Sequence, residues 1–168
     1  ITGAGSGIGR SHAVLMAERG ADLIINDLNS EGLAETAECA ASSGGKVFQV
    51  VHDVSDVAGM ARKTQAAEAD LGKIDILVNN AGVGGNGAVE EASASRYLDV
   101  MNIDLCGATR CIQAVLPQMR KRGSGTIVNV TSVAGRVAAV GQAPYVAAKW
   151  ALEGVSEQLA MEVAGMGI

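Results

Sequence analysis

Tyr145 and Lys149 stand four residues apart in Tyr-Val-Ala-Ala-Lys, so on a helix they share one face. Tyrosine ordinarily titrates near pH 10, too high for a base at neutral pH. An ammonium group alongside favours the phenolate, and the pair can then exchange a proton with a substrate alcohol. Alone, such a pair reads as surface packing. Ser132 lies 13 residues earlier, just past an apolar run at 126–131. If that run is a strand, the Ser132 hydroxyl sits at the carboxyl edge of a sheet, where ligands bind, and can hold the oxygen whose proton Tyr145 handles. Thr131 is a competing hydroxyl, directed to the opposite face of an extended strand.

A second constellation opens the chain: Thr2-Gly3-Ala4-Gly5-Ser6-Gly7-Ile8-Gly9-Arg10. Gly3, Gly5, Gly7 and Gly9 allow a sharp turn, and the main chain through Ser6 and Ile8 can approach a pyrophosphate at the start of the next helix. Asp27 follows Gly9 by 18 residues. A carboxylate at that spacing accepts hydrogen bonds from ribose hydroxyls and repels a 2′-phosphate. No Arg or Lys lies in the turn before Gly9, and Leu28 and Asn29 follow the acid. These features favour NAD over NADP. The alternative is that Asp27 caps the helix beginning at Ser30. Arg10 is expected on the exposed side of its helix.

The elements that must position these groups follow from periodicity. Short β-branched runs at 23–26, 47–51, 74–79 and 126–131 read as buried strands. Between them lie Ala-rich segments of helical spacing at 8–19, 30–43, 57–71, 95–121 and 144–163. Gly20, Gly44, Gly72 and Gly123 stand where those helices should stop. Alternation of this kind predicts an α/β fold with a doubly wound parallel sheet, one domain over 1–168. Ile1 and Thr2 read as the tail of a first strand and Ile168 as the start of another, so the chain is expected to be truncated at both ends.

Composition narrows the classes. With 13 basic against 18 acidic residues and no basic stripe bearing aromatics, nucleic acid is not an expected partner. No apolar run approaches a membrane span, and no signal-peptide pattern opens the chain. Cys39, Cys106 and Cys111 are odd in number and lack metal-type spacing, which points to a cytoplasmic, reducing setting. Neither His12 nor His52 has company suited to a zinc site or a Ser-His-Asp triad, so no metal is expected.

In their order along the chain, Thr2-Gly3-x-x-x-Gly7-x-Gly9, Asp53-Val54, Asn79-Asn80-Ala81-Gly82, Ser132 and Tyr145-x-x-x-Lys149 resemble the short-chain dehydrogenase/reductase family in its single-domain form. The resemblance implies a Rossmann fold and hydride transfer between NAD(H) and a secondary alcohol or ketone. Tyr145 would be the general acid/base and Ser132 would steady the substrate. Lys149 would tune Tyr145 and hold the nicotinamide ribose. Asp53 and Val54 would meet the adenine, while Asn80, Ala81 and Gly82 would line the cofactor floor. Family members commonly pair as homodimers or homotetramers through the two long helices, here 95–121 and 144–163.

One position departs from the family pattern. Its usual Asn-Leu-x-Gly is Asp104-Leu105-Cys106-Gly107 here, so Asp104 takes the place of an Asn that helps carry water to the lysine. Asn102, two residues away and roughly 200° around a helix, is no substitute. The added carboxylate is expected to hold the lysine's proton and weaken its effect on Tyr145. The strand and substrate loop that follow in the family lie beyond Ile168. Val83, Gly84, Gly85, residues 134–140 and Gln142 are candidates for the pocket wall, mostly small or apolar, and suit an apolar alcohol or ketone. Two rival readings remain: a dinucleotide-binding sensor without turnover, and an epimerase or dehydratase that uses NAD transiently.

Overall fold

The structure, a computed structural model, describes residues 1–168 except for the side chains at positions 57, 58 and 61. Strands β1 (Leu23–Asp27) and β2 (Val47–Val51) pair in parallel, with Leu23 opposite Val47 and Asp27 opposite Val51. Strands β3 (Ile76–Asn79) and β4 (Thr126–Asn129) form a second parallel pair, Ile76 opposite Thr126. Residues 1–4 lie between the pairs. Asn26 N–H donates to the Ile1 carbonyl at 2.9 Å, Ala4 N–H to the Asn26 carbonyl at 2.9 Å, and Thr2 N–H to the Val78 carbonyl at 3.0 Å. The resulting order is β2, β1, the 1–4 segment, β3, β4.

Six helices surround this sheet: α1 (Gly7–Glu18), α2 (Ser30–Ala41), α3 (Val57–Leu71), α4 (Ala94–Asp104), α5 (Cys106–Arg122) and α6 (Ala143–Glu162). They divide between two apolar clusters. Ala13 and Ala17 of α1, Leu33 and Ala37 of α2, and Leu23 and Ile25 of β1 form one. Met60 of α3, Leu77 of β3 and Cys111, Ile112, Val115 and Met119 of α5 form the other, with Leu159 of α6 packed against it. Two helical layers with a parallel sheet between them suit apolar strands, but the expectation of four buried strands holds only for the inner pair: β1 and β3 are largely buried, whereas β2, on one edge, buries only Val50 and β4, on the other, buries no residue. The fold is therefore a doubly wound α/β Rossmann architecture. Local chemistry sets the boundaries: Asn29 Oδ1 accepts Gly32 N–H to start α2, and Gly123 ends α5 in the left-handed region at φ +68°. No helix among the described residues is long and apolar enough to cross a membrane.

Two departures from the sequence reading bear on the site. The segment 95–121 is not one helix; it breaks at Leu105 (φ −104°, ψ −61°), between α4 and α5. The break falls beside Asp104, whose side chain is held by groups outside the helix, and Gly107 then packs against Val54, where an added Cβ would come within 2.8 Å of Cγ2. Strand 126–131 is also shorter than expected. It pairs only to Asn129, because the Val130 carbonyl leaves the ladder and accepts Lys149 Nζ at 3.3 Å. Ser132 thus lies three residues beyond β4 rather than at its end, still extended, and opens a 3-10 turn at Val133–Gly135.

Candidate active site

The turn from the 1–4 segment into α1 divides its glycines by task. Gly3 (φ +64°) and Gly7 (φ +52°) take left-handed backbone that other residues avoid. Gly5 and Gly9 answer instead to close approach. A Cβ on Gly9 would lie 2.1 Å from the Gly3 carbonyl oxygen, and one on Gly5 would lie 2.8 Å from Asp27 Cγ. Over Gly7 there is open space, with nothing within 4 Å of an added Cβ. Ser6 is exposed and its hydroxyl makes no cap bond to α1. The N–H groups of the first turn of α1 have no partner inside the helix, so they face that space as donors with the positive helix end behind them. The residues present therefore suit the pyrophosphate of a dinucleotide.

Three residues brace the turn. Asp27 Oδ2 accepts Gly5 N–H at 2.8 Å and Oδ1 accepts Asn29 N–H at 2.9 Å. Asn29, not Asp27, caps α2. Each Asp27 oxygen keeps a lone pair, so the carboxylate can still accept from a ribose hydroxyl. Asn80 Nδ2 donates to the Thr2 and Gly3 carbonyls at 3.0 and 3.1 Å, while Thr2 Oγ1 accepts the N–H groups of Asn80 and Ala81. Arg10 corrects the sequence reading. Its side chain is 32% exposed rather than free in solvent; it crosses from α1 to α2, donating to Thr36 Oγ1 and the Gly5 and Gly32 carbonyls and pairing with Glu35 at 2.8 Å. A long cation can satisfy several carbonyls that converge from different elements, a convergence that no helical wheel contains.

At the other end of the same edge, α6 begins with Pro144 in its first turn and presents Tyr145 and then Lys149. Lys149 Nζ lies 5.5 Å from the centre of the Tyr145 ring. The two line a cavity of about 350 Å³ with Ile8, Asn80, Thr131 and Gln142. Its wall is drawn tight by glycines: a Cβ on Gly85 would lie 2.7 Å from Tyr145 N, and one on Gly82 would lie 3.3 Å from Lys149 Nζ. Gly87 fastens the wall by donating to the Gly141 carbonyl at 2.8 Å and accepting Ala143 N–H at 3.1 Å. A larger cavity, about 450 Å³, lies at the amino ends of the strands among Ile1, Leu23, Ile76 and Val115. It touches none of Asp27, Tyr145 or Lys149, and ligands of such sheets bind at the carboxyl edge.

Lys149 and Asp104 are both buried. Their side chains are 5% and 0% exposed and meet at 3.2 Å, Nζ to Oδ2. Asp104 Oδ1 accepts Val83 N–H at 2.8 Å. Asn102 faces elsewhere, bonded to Arg110 at 2.8 Å. Ser132 is not among the cavity-lining residues; its Oγ accepts Ala134 N–H at 3.1 Å, which leaves its own hydrogen free to donate. The Glu153 carboxyl lies below its usual range, first through the neighbouring Thr131 hydroxyl and then through Arg136, with which it pairs at 2.7 Å. Asp53 Oδ1 accepts Ser55 N–H at 2.7 Å. The Val54 side chain is buried among Leu77, Cys111 and Ile112, so only its main chain remains for a base.

The family model for short chain dehydrogenases matches residues 1–168. An uncharacterized oxidoreductase of Thermotoga maritima is 40% identical over the whole of this chain, which spans 66% of that protein. Trans-4-hydroxycyclohexanecarboxylate dehydrogenase of Sinomonas cyclohexanicum is 39% identical over 97% of this chain and 65% of its own length. Among solved structures, carveol dehydrogenase from Mycobacterium avium in complex with NAD superposes with a TM-score of 0.95 at 32% identity, covering 99% of this chain and 65% of that one. The chain thus spans 65–66% of the length of these three relatives.

Proposed function

The chain belongs to the short chain dehydrogenase family, and from that premise we propose that it is the cofactor-binding and catalytic part of an NAD-dependent oxidoreductase that interconverts a secondary alcohol and a ketone. The observation that carries this reading is the side-by-side placement of Tyr145 and Lys149 in a cavity that also reaches Ile8 of the glycine turn. In this reading Gly3, Gly5, Ser6, Gly7, Ile8 and Gly9 cradle the pyrophosphate, and Asp27 accepts from the adenosine ribose. Asp53, the Val54 main chain, Asn80, Ala81 and Gly82 form the floor. Bound nicotinamide supplies the acceptor or donor of hydride.

The chain's own residues handle the proton. Tyr145 Oη takes it from the substrate hydroxyl in oxidation and returns it in reduction. Ser132 Oγ donates to the same substrate oxygen and fixes its position. Lys149 Nζ donates one N–H to the Val130 carbonyl and pairs by charge with Asp104 at 3.2 Å; a remaining N–H serves the nicotinamide ribose. Small and apolar groups at Val83, Gly84 and Gly85 suit an apolar alcohol. The Sinomonas relative's name describes a ring alcohol, so cyclic secondary alcohols are the first class to try. A homodimer or homotetramer through α4, α5 and α6 completes the proposal, which light scattering would test.

The deciding experiment follows NADH formation by the protein across a panel of cyclic and open-chain secondary alcohols, with NAD and with NADP. Tyr145→Phe should lower turnover by about 100-fold or more while NAD still binds. Turnover that survives in this variant would refute the assignment. Asp27→Ala should erode the preference for NAD over NADP; an unchanged preference would remove Asp27 from the ribose site.

A further inference from the structure

We propose that Glu153 is a positioning residue for Ser132: by pairing with Arg136 it clasps the segment 130–136 to α6, the helix that carries Tyr145, and so sets the Ser132 hydroxyl against the Tyr145 oxygen. The inference rests on the reading of Ser132 and Tyr145 given above and deepens it. Ser132 lies three residues past the end of β4, so the ladder of the sheet does not hold it. Apolar burial holds it little better. In the turn that follows, Ala134 and Gly135 are buried, but Val133 is 80% exposed and Val137 61%. A segment with so few apolar contacts is placed by its polar ties.

Those ties lead to α6. Residues 145, 149, 153 and 157 succeed one another at four-residue spacing, so they follow one side of the helix. Before Ser132, the Val130 carbonyl accepts Lys149 Nζ at 3.3 Å. After it, one terminal nitrogen of Arg136 donates to Glu153 Oε2 at 2.7 Å, and the other lies 3.7 Å from Glu157 Oε1. The Thr131 hydroxyl neighbours the same Glu153 carboxyl. Between these ties Gly135 sits directly on the helix: a Cβ there would come 3.0 Å from Glu153 Cγ and 3.1 Å from the Lys149 carbonyl oxygen. One rigid element therefore holds the chain two residues before Ser132 and four residues after it. Tyr145 stands on that same element, which makes the clasp a control on how the two hydroxyls converge on a substrate oxygen. Charge explains the choice of residues. Glu153 and Glu157 are like charges one helical turn apart and repel each other. A planar guanidinium presents a separate N–H group to each of them, as a compact ammonium does not.

The test reads the segment first and turnover second. Ser132 Oγ accepts Ala134 N–H at 3.1 Å, and the Ser132 carbonyl accepts Gly135 N–H at 2.9 Å. Amide hydrogen exchange at Ala134 and Gly135 therefore reports the turn without any need for substrate. Arg136→Ala should speed exchange at both roughly 3- to 5-fold. In alcohol oxidation kcat should fall by a similar factor while KM holds, because an alignment used in the transition state is what has been lost. Glu153→Gln, which removes the charge yet keeps the contact with Gly135, should act in the same direction, and Arg136→Lys should recover part of the loss. In a Ser132→Ala background Arg136→Ala should cost no further turnover. An equal loss in that background, or parental exchange rates in Arg136→Ala, overturns the proposal. Faster exchange in a protein that turns over no alcohol would retain the clasp and reject the dehydrogenase reading instead.

Discussion

Lys149→Met is the substitution whose consequence the structure specifies most sharply, because it leaves a carboxylate buried with no counter-charge. Asp104 is 0% exposed at its side chain and Lys149 5%, and they meet at 3.2 Å. Removing one member of a buried pair typically costs about 3–5 kcal/mol, since the remaining charge cannot recover its water. The lost bond to the Val130 carbonyl adds about 1 kcal/mol. For a chain of this size the total of about 4–6 kcal/mol corresponds to roughly 8–24 °C in melting temperature. Asp104→Asn added to Lys149→Met removes the stranded charge yet keeps an oxygen for Val83 N–H. The double variant should recover about 1–3 kcal/mol over Lys149→Met alone. Urea unfolding of the four members of the cycle at one pH measures this. A Lys149→Met protein within about 1 kcal/mol of the parent, or a double variant no better than the sum of the singles, would refute the argument that the pair acts as a unit.

Two further expectations follow from the turn and from α3. Gly9→Ala places a methyl 2.1 Å from the Gly3 carbonyl oxygen and 2.6 Å from Asn80 Nδ2; backbone must move, so stability should fall by about 1–3 kcal/mol and calorimetry should show NAD binding weakened by at least about tenfold. Wild-type affinity in that variant would mean the turn tolerates a Cβ. The Asp56 carboxyl, which caps α3, lies below its ordinary value first because Gly59 N–H donates to it and further through His52. A depressed folded-state value means the contribution is complete above the unfolded value of 3.8 and is lost as pH falls through the lower folded one. The melting-temperature gap between Asp56→Ala and the parent should therefore be full at neutral pH and shrink in acid; a gap independent of pH would count against it.

Much of this protein is written in local pattern. Short β-branched runs alternating with Ala-rich helical segments are enough to specify a parallel doubly wound sheet, because each element's period dictates which face it must bury. Tyr145 and Lys149 share a face through helical spacing alone, and the order of the glycine turn, Asp27, Ser132 and that pair marks the family. Other features depend on convergence from distant parts of the chain. Arg10 reads as a surface residue until α2 brings the Gly32 carbonyl, Glu35 and Thr36 to it. Gly107, two residues past Leu105, is the only local hint of the break; the ties of Asp104 to Lys149 and Val83, 45 and 21 residues away in the chain, set its surroundings. Sequence could place a carboxylate near the lysine, but only tertiary structure shows that both side chains are buried and meet at 3.2 Å. Burial and second partners are properties of a packed ensemble of elements, and the strength of an electrostatic interaction depends on both.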